Sequence, residues 1–328
     1  MESERPATPP PVPCAAVSRV AYFGPRGTFT EEALLTQPDL AGEDLVPLST
    51  VPQVMAAVEH GDADHAVVPI ENMIEGSVSV TLDTLAFESD LLIQREIDLP
   101  IVLHLCARSA TRLDDVRTVL SHPHAHAQCR VWMSRKLPDV ELVASNSTAD
   151  AAREVARSKR TDRAAIGTAF AAKLYGLELL ASEIEDHPEN QTRFVLLGRG
   201  VPGPTGHDKT SIVCFQREDK PGSLLSILQE FAARGINLTK LESRPTKRGL
   251  GEYCFFIDAA GHIADELVAD CLRTLAARQA EVKFLGSYPV AGEEDAHARR
   301  KAVSKAERAA GQWMQALRDQ IRWEQASS

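Results

Sequence analysis

Val20–Leu34 reads VAYFGPRGTFTEEAL. Val20 to Phe23 is strand-like, a Gly/Pro-rich turn follows, and Glu31 opens a helical pattern. Thr28 with Glu31 three residues on has the form of a capping box. The same strand–loop–helix pattern recurs without sequence repetition. Val67–Ile70 precedes ENMIEGS, Val116–Leu120 precedes SHPHAHAQ, Leu142–Ala144 precedes SNST, and Ala164–Ile166 precedes Gly167 and Thr168. Strands alternating with helices predict an α/β unit with a mostly parallel sheet.

Hydroxyls stand where these helices begin: Thr28, Ser77, Ser147 (followed by Thr148, with Asp150) and Thr168. Taken singly, each is a cap and nothing more. Taken together, they sit at the carboxyl ends of parallel strands, where ligands bind. Unpaired N–H groups and the positive dipole end suit an anion there. A crevice for a small, negatively charged molecule is therefore expected. Two sets of units predict two lobes, about 19–97 plus 186–198 and about 98–185. The returning segment, NQTRFVLLG (190–198), would close the gap and put Thr192 at the lobe junction.

Gly and Pro dominate GRGVPGPTGHD (198–208), so residues 199–208 are read as a linker. Residues 209–287 then give a strand from Thr210 and a helix through DKPGSLLSILQEFAARG, with Leu224, Leu225, Leu228, Phe231 and Ala232 as its apolar face. Strands with Leu238 and with alternating Tyr253, Phe255 and Ile257 follow, then a helix and a last strand at Glu281–Leu285. The order βαββαβ is ferredoxin-like. It carries no catalytic constellation, which favours ligand sensing or pairing. Residues 291–328 form a charged tail with Val303, Ala310, Met314, Leu317 and Ile321 on one helical face.

The chain has 328 residues, 44% apolar and 25% charged, which is enough for two cores. Its net charge of −10 argues against a nucleic-acid partner. Six cysteines are scattered with no CxxC pair, so neither a metal site nor a disulfide framework is expected. Residues 1–18 are Pro-rich, lack a secretory apolar core and read as a disordered tail. No run approaches a membrane span, and a cytoplasmic protein is expected. P-loop, GxGxxG, HExxH and GxSxG motifs are absent. His122, His124 and His126 cluster without a carboxylate or thiol at ligand spacing, so metal is not favoured. Any catalysis is expected to be cofactor-free.

YFGPRGTFTEEAL, VPIENMIEGSVSVTLDTL, SHPHAHAQCR, SNSTADAA, AAIGTAFAAKLYGL and NQTRFVLLG occur in the order seen in the prephenate dehydratases, which this chain resembles over about residues 18–288. The second module resembles an ACT regulatory domain, with PGSLL and ESRP where that family binds phenylalanine. The resemblance implies a two-lobed, periplasmic-binding-protein-like (type II) catalytic domain. It implies conversion of prephenate to phenylpyruvate, water and carbon dioxide, feedback inhibition by L-phenylalanine, and a homodimer or homotetramer. Arogenate dehydratase is the alternative enzyme; a catalytically dead two-lobed binder with an ACT sensor is the alternative of another class.

By the resemblance, Thr192 is the catalytic hydroxyl, easing departure of the ring oxygen. Glu71 or Glu75 is a candidate proton source. Arg193 is expected as a carboxylate clamp, or as a structural ion pair if strand alternation turns it from the gap. Phe194 would then face the gap. Asn72, Gln128 and Asn190 are candidate polar contacts, with Thr28, Ser77, Ser147 and Thr148 at the helix starts. The expected phenylalanine site comprises Gly222, Ser223, Leu224, Asn237, Glu242, Ser243, Arg244 and Pro245. Met73 departs from the small hydroxyl residue usual in the family and removes a donor. His124 and His126 stand where relatives more often have uncharged residues, and Ser223 replaces a frequent Ala.

Overall fold

The computed structural model describes residues 18–216, 221–247, 249, 252–291, 312–314 and 316–320. The expectations for the N-terminal tail and for most of the C-terminal tail lie outside these residues. The first lobe contains β1 (Arg19–Phe23), α1 (Phe29–Leu35), β2 (Asp44–Leu48), α2 (Val51–Glu59), β3 (His65–Asn72), β4 (Gly76–Ser77), α3 (Ser79–Phe87) and β5 (Leu92–Pro100). The second contains β6 (His104–Ala107), β7 (Thr118–Ser121), α4 (Pro123–Gln128), α5 (Arg130–Lys136), β8 (Glu141–Ala144), α6 (Thr148–Arg157), β9 (Arg163–Gly167), α7 (Ala169–Tyr175) and β10 (Glu178–Ala181). β11 (Gln191–Gly198) returns to the first lobe.

The first sheet runs β2-β1-β3-β11-β5 with β4 on β3, and the second runs β10-β6-β9-β7-β8. The expected mostly parallel sheet is corrected to two mixed sheets. β1, β2 and β3 are parallel, as are β7, β8 and β9, but β11 is antiparallel to both β3 and β5. The reason is the double crossing between lobes. The chain leaves along β5 and comes back along β11, so those strands must oppose.

Side chains of the first sheet are buried on both faces. Val20, Tyr22, Val67, Phe194 and Leu196 pack with Ala33 and Leu34 of α1. Ala21, Val68, Val195 and Leu197 pack with α2 and α3 on the other side. The period-2 alternation of the strands makes this division.

The C-terminal unit is β12 (Asp208–Gln216), α8 (Ser223–Ala232), β13 (Leu238–Pro245), β14 (Tyr253–Ala260), α9 (Glu266–Thr274) and β15 (Ala280–Pro289), in the sheet order β13-β14-β12-β15. Ile212, Cys214, Phe255 and Ile257 pack against Ile227, Phe231 and Cys271 of its helices. The expected apolar face of α8 is shifted: Ile227 and Phe231 are buried, while Leu225 is 58% exposed. The opposite sheet face carries Val213, Phe215, Cys254, Phe256, Leu285 and Tyr288, which join the core of the first lobe. This sheet is thus a middle layer, with helices on one side and the first lobe on the other.

The cysteines among the described residues are buried and free, and they act as small apolar residues of the core. No helix of the described residues is long and apolar enough to cross a membrane.

Gly286 sits where β15 crosses β5. Its φ is +140°, and a Cβ there would lie 2.4 Å from the Ile93 carbonyl oxygen. Gly286→Ala is expected to destabilise the chain by about 1–3 kcal/mol through overpacking, read as a lower urea midpoint. An unchanged midpoint would mean that this crossing is not tight.

Candidate active site

β3 and β11 form an antiparallel ribbon in which Thr192 lies opposite Asn72 and Arg193 opposite Glu71. Neighbours along a strand face opposite sides. Thr192 and Asn72 line the gap between the lobes. Arg193 and Glu71 instead turn to the C-terminal sheet, where they pair at 2.9 Å. Because β11 is hydrogen-bonded to both β3 and β5, Thr192 sits inside the sheet rather than on a loose loop.

The gap encloses about 1050 Å³. From the first lobe it is lined by Thr28, Asn72, Glu75, Ser77, Thr192 and Phe194, and from the second by His122, His124, Gln128, Ser147 and Thr148. Arg26, Arg153 and Tyr175 stand at its wall as well. Side-chain contacts bridge the lobes. Glu75 meets His124 at 3.3 Å and accepts from Gln128 at 3.3 Å. The Tyr175 hydroxyl donates to the Arg26 carbonyl at 2.6 Å.

The polar centre is ordered by Asn72. Its Oδ1 accepts from the backbone N–H groups of Ile74 and Glu75, at 3.0 and 2.9 Å. That fixes the amide orientation, so Nδ2 must donate, and it does: to Thr192 Oγ1 at 2.9 Å and to Asn190 Oδ1 at 3.0 Å. The Thr192 oxygen thereby acts as an acceptor toward Asn72, and its own proton is left to point elsewhere. Asn190 is buried and does not line the gap; its Nδ2 donates to Gln128 at 3.3 Å. It supports two lining residues from behind.

The helix starts behave as expected at three positions. Thr28, Ser147 and Thr168 accept from the N–H of Glu31, Asp150 and Ala171, at 3.4, 2.9 and 2.8 Å. The capping box is not closed, because the Glu31 carboxylate turns to the N–H of Gly27. Ser77 is corrected as a cap. Val78 occupies that position, without a side-chain bond. The Ser77 hydroxyl instead accepts from Lys240 Nζ at 2.6 Å and donates to Glu242 of β13. His122 caps α4 and accepts from the His124 N–H at 3.3 Å. Burial, followed by the charge of His124, holds the His122 imidazole below its usual pKa.

Besides Asn190, two expected site residues, Arg193 and Glu71, are not among those lining the gap. The Arg193 guanidinium meets Glu71, Glu96 and Asp258 at 2.9, 3.2 and 3.0 Å. Of the two expectations for Arg193, the structural ion pair holds, because three carboxylates hold it on the far face; the substrate clamp is corrected. Burial opposes its charge, but Asp258 and the other acids outweigh that and favour the protonated form. Glu71 pairs with Arg193 and with Lys240, the latter at 3.1 Å, so it too faces away from the gap. Glu75, three residues after Asn72, lines it, as does Asp150 of the second lobe, which pairs with Arg153. Among the described residues, no group of three or more His, Cys, Asp or Glu is placed to hold a metal.

The expected effector residues separate onto two faces of the C-terminal sheet. Gly222, Ser223 and Leu224 line a groove of about 450 Å³ with Leu225, Leu228, Tyr253 and Phe255. Ser243 and Pro245 pair in register with Phe255 and Tyr253 and so share that face. Asn237 is exposed just before β13. Glu242 and Arg244 point the other way: Glu242 to Ser77, and Arg244 to Asp83 at 2.9 Å and Ser79 at 3.3 Å.

The model of the prephenate dehydratase family matches residues 20–201, and that of the ACT domain matches residues 210–277. A prephenate dehydratase of Mycolicibacterium vanbaalenii is 48% identical over 285 residues, covering 82% of this chain and 90% of that protein. The crystal structure of an Arthrobacter aurescens prephenate dehydratase in complex with L-Phe superposes with a TM-score of 0.79 at 40% identity, covering 90% of this chain and 99% of that one. The structure of GqqA, described as a novel type of quorum quenching acylase, has a TM-score of 0.75 at 30% identity, covering 83% of this chain and 98% of that one. Fold alone therefore does not decide chemistry; the matched length and the family models do decide membership. The chain belongs to the prephenate dehydratase family and carries a C-terminal ACT domain.

Proposed function

We propose that the gap binds prephenate and converts it to phenylpyruvate, water and carbon dioxide, with residues 19–198 as the catalytic unit and 209–287 as the sensor of L-phenylalanine. Family membership supports the reaction, and the observation that carries the site is the Thr192–Asn72 bond at 2.9 Å. With its oxygen engaged by Asn72, the Thr192 hydroxyl donates into the gap. Prephenate loses its ring hydroxyl and ring carboxylate together, and the product ring is aromatic, so the driving force is internal. Thr192 donates a hydrogen bond to the leaving oxygen as negative charge grows there. It does not surrender its proton outright, being too weak an acid. A carboxylic acid or water supplies the proton that the leaving oxygen takes; of the two carboxyls lining the gap, Asp150 is paired with Arg153, and Glu75 is the candidate. Phe194 packs beside the ring. The start of α6, with Ser147 and Thr148, offers unpaired N–H groups to a substrate carboxylate.

The L-phenylalanine site is the groove at the start of α8. Gly222, with φ of 90°, brings the backbone close to a ligand carboxylate, while Leu224 and Phe255 receive an aromatic side chain. The Arthrobacter relative was solved with L-Phe, which supports this reading. A second copy of the chain completes the site by adding to the exposed face of β13, as a homodimer or as part of a homotetramer. The enzyme works in the cytoplasm with prephenate rather than arogenate as its substrate.

Assaying both substrates with and without phenylalanine tests the reading. Phenylpyruvate formation from prephenate, suppressed by phenylalanine, is the expected result; arogenate turnover far above that of prephenate overturns the choice of substrate. Thr192→Ala is expected to lower kcat by ~10²–10³-fold, the worth of one preorganised donor, while prephenate still binds. Unchanged turnover would remove Thr192 from the chemistry. Ser243→Ala, on the groove side of β13, is expected to weaken phenylalanine inhibition with turnover retained. Full inhibition in that variant would move the effector site elsewhere.

A further inference from the structure

We propose that Lys240 and Glu242 are positioning residues for the catalytic gap of their own chain. The proposal rests on the functional reading above. Lys240, Glu242 and Arg244 alternate along β13 and face the first lobe, presenting a plus–minus–plus row. Lys240 Nζ lies 2.6 Å from Ser77 Oγ, 3.1 Å from Glu71 and 3.3 Å from Glu242. These partners use all three donors of the ammonium. Its side chain is only 10% exposed, so the contacts are poorly screened. Ser77 spends its proton on Glu242 and its acceptor capacity on Lys240. Burial opposes ionisation of Glu242, but the Ser77 hydroxyl, Lys240 and Arg244 outweigh it and hold its carboxyl below the usual range.

What these residues grip is the reverse of the site. Ser77 and Ser79 belong to the segment 72–79 that lines the gap. Glu71, a further partner of Lys240, also pairs with Arg193, directly behind Thr192 and Asn72. A shift of β13 is thus passed to the gap-lining segment by direct contact. Ser243, on the groove side, and Glu242, on the gap side, are consecutive residues of that one strand. Occupancy of the groove and geometry of the gap are therefore linked within a single chain. Removing Lys240 leaves the carboxylates of Glu71 and Glu242 facing each other without a cation between them. Ser77 then loses its donor and the segment 72–79 is displaced.

The test uses the full chain with Lys240→Met and Lys240→Arg. Two readouts are taken: prephenate kinetics, and amide hydrogen exchange of residues 72–79. Lys240→Met is expected to lower kcat about 10–100-fold, the cost of a misplacement near 1 Å. KM is expected to change less than about twofold, because the loss falls on transition-state geometry and not on ground-state binding. Exchange at 72–79 should accelerate, and Lys240→Arg should restore both readouts. Unchanged exchange in Lys240→Met, or a kcat loss that Lys240→Arg does not restore, overturns the proposal. Absence of prephenate turnover in the unaltered chain would sink the functional reading instead. The exchange measurement would then still decide whether Lys240 holds the segment.

Discussion

The molecule is organised around one buried cation. Arg193 sits 13% exposed between Glu71, Glu96 and Asp258, and Lys209 adds a further contact to Glu96 at 2.8 Å. Buried charges are tolerated only when well paired, and removing one partner leaves a costly orphan. Here the partners come from β3, β5 and β14, so the cluster ties both strands flanking β11 to the ACT domain. On the other face of the same ribbon, Thr192 and Asn72 inherit that rigidity. The Thr192 hydroxyl is held by a sheet whose back is locked electrostatically.

This arrangement reconciles an acidic chain with an anionic substrate. The net charge is −10, yet many of the strongly placed carboxylates are spent on the far side of the ribbon. Glu71, Glu96, Asp258 and Asp83 all answer cations at the junction with the C-terminal unit. The gap is left with hydroxyls, amides, imidazoles, the guanidinium groups of Arg26 and Arg153 and the helix start at Ser147. Glu75 and Asp150 are the exceptions: Glu75 is occupied by His124 and Gln128, and Asp150 pairs with Arg153. Local sign, rather than the total, governs what a cleft attracts.

Much of this was legible in the residues. Period-2 alternation in NQTRFVLLG already separates Thr192 and Phe194 from Arg193, and the same rule separates Glu242 and Arg244 from Ser243. The hydroxyls at Thr28, Ser147 and Thr168 announced helix starts correctly. What failed had non-local causes. Arg193 finds Glu96 and Asp258 at sequence separations of 97 and 65, which no local pattern reveals. Ser77 looked like a cap because its partners, Lys240 and Glu242, belong to another domain. The parallel expectation erred because strand direction depends on how often the chain crosses between lobes. The covering of the C-terminal sheet is also written in its strands. SIVCF and YCFFI are apolar at consecutive positions, the mark of strands covered on both sides.

That two-sided covering limits how far the two halves can be treated as separable modules. The glycine- and proline-rich connection at 199–207 looks like an invitation to cut. Severing the chain there would release a sheet whose Val213, Phe215, Cys254, Phe256 and Leu285 had lost their cover, an oily plane facing water. It would also strand Arg193 without Asp258 in the remaining half. Excision is therefore a poor route to a deregulated catalyst. Evolution and engineers alike would do better to alter the sensor in place than to delete it.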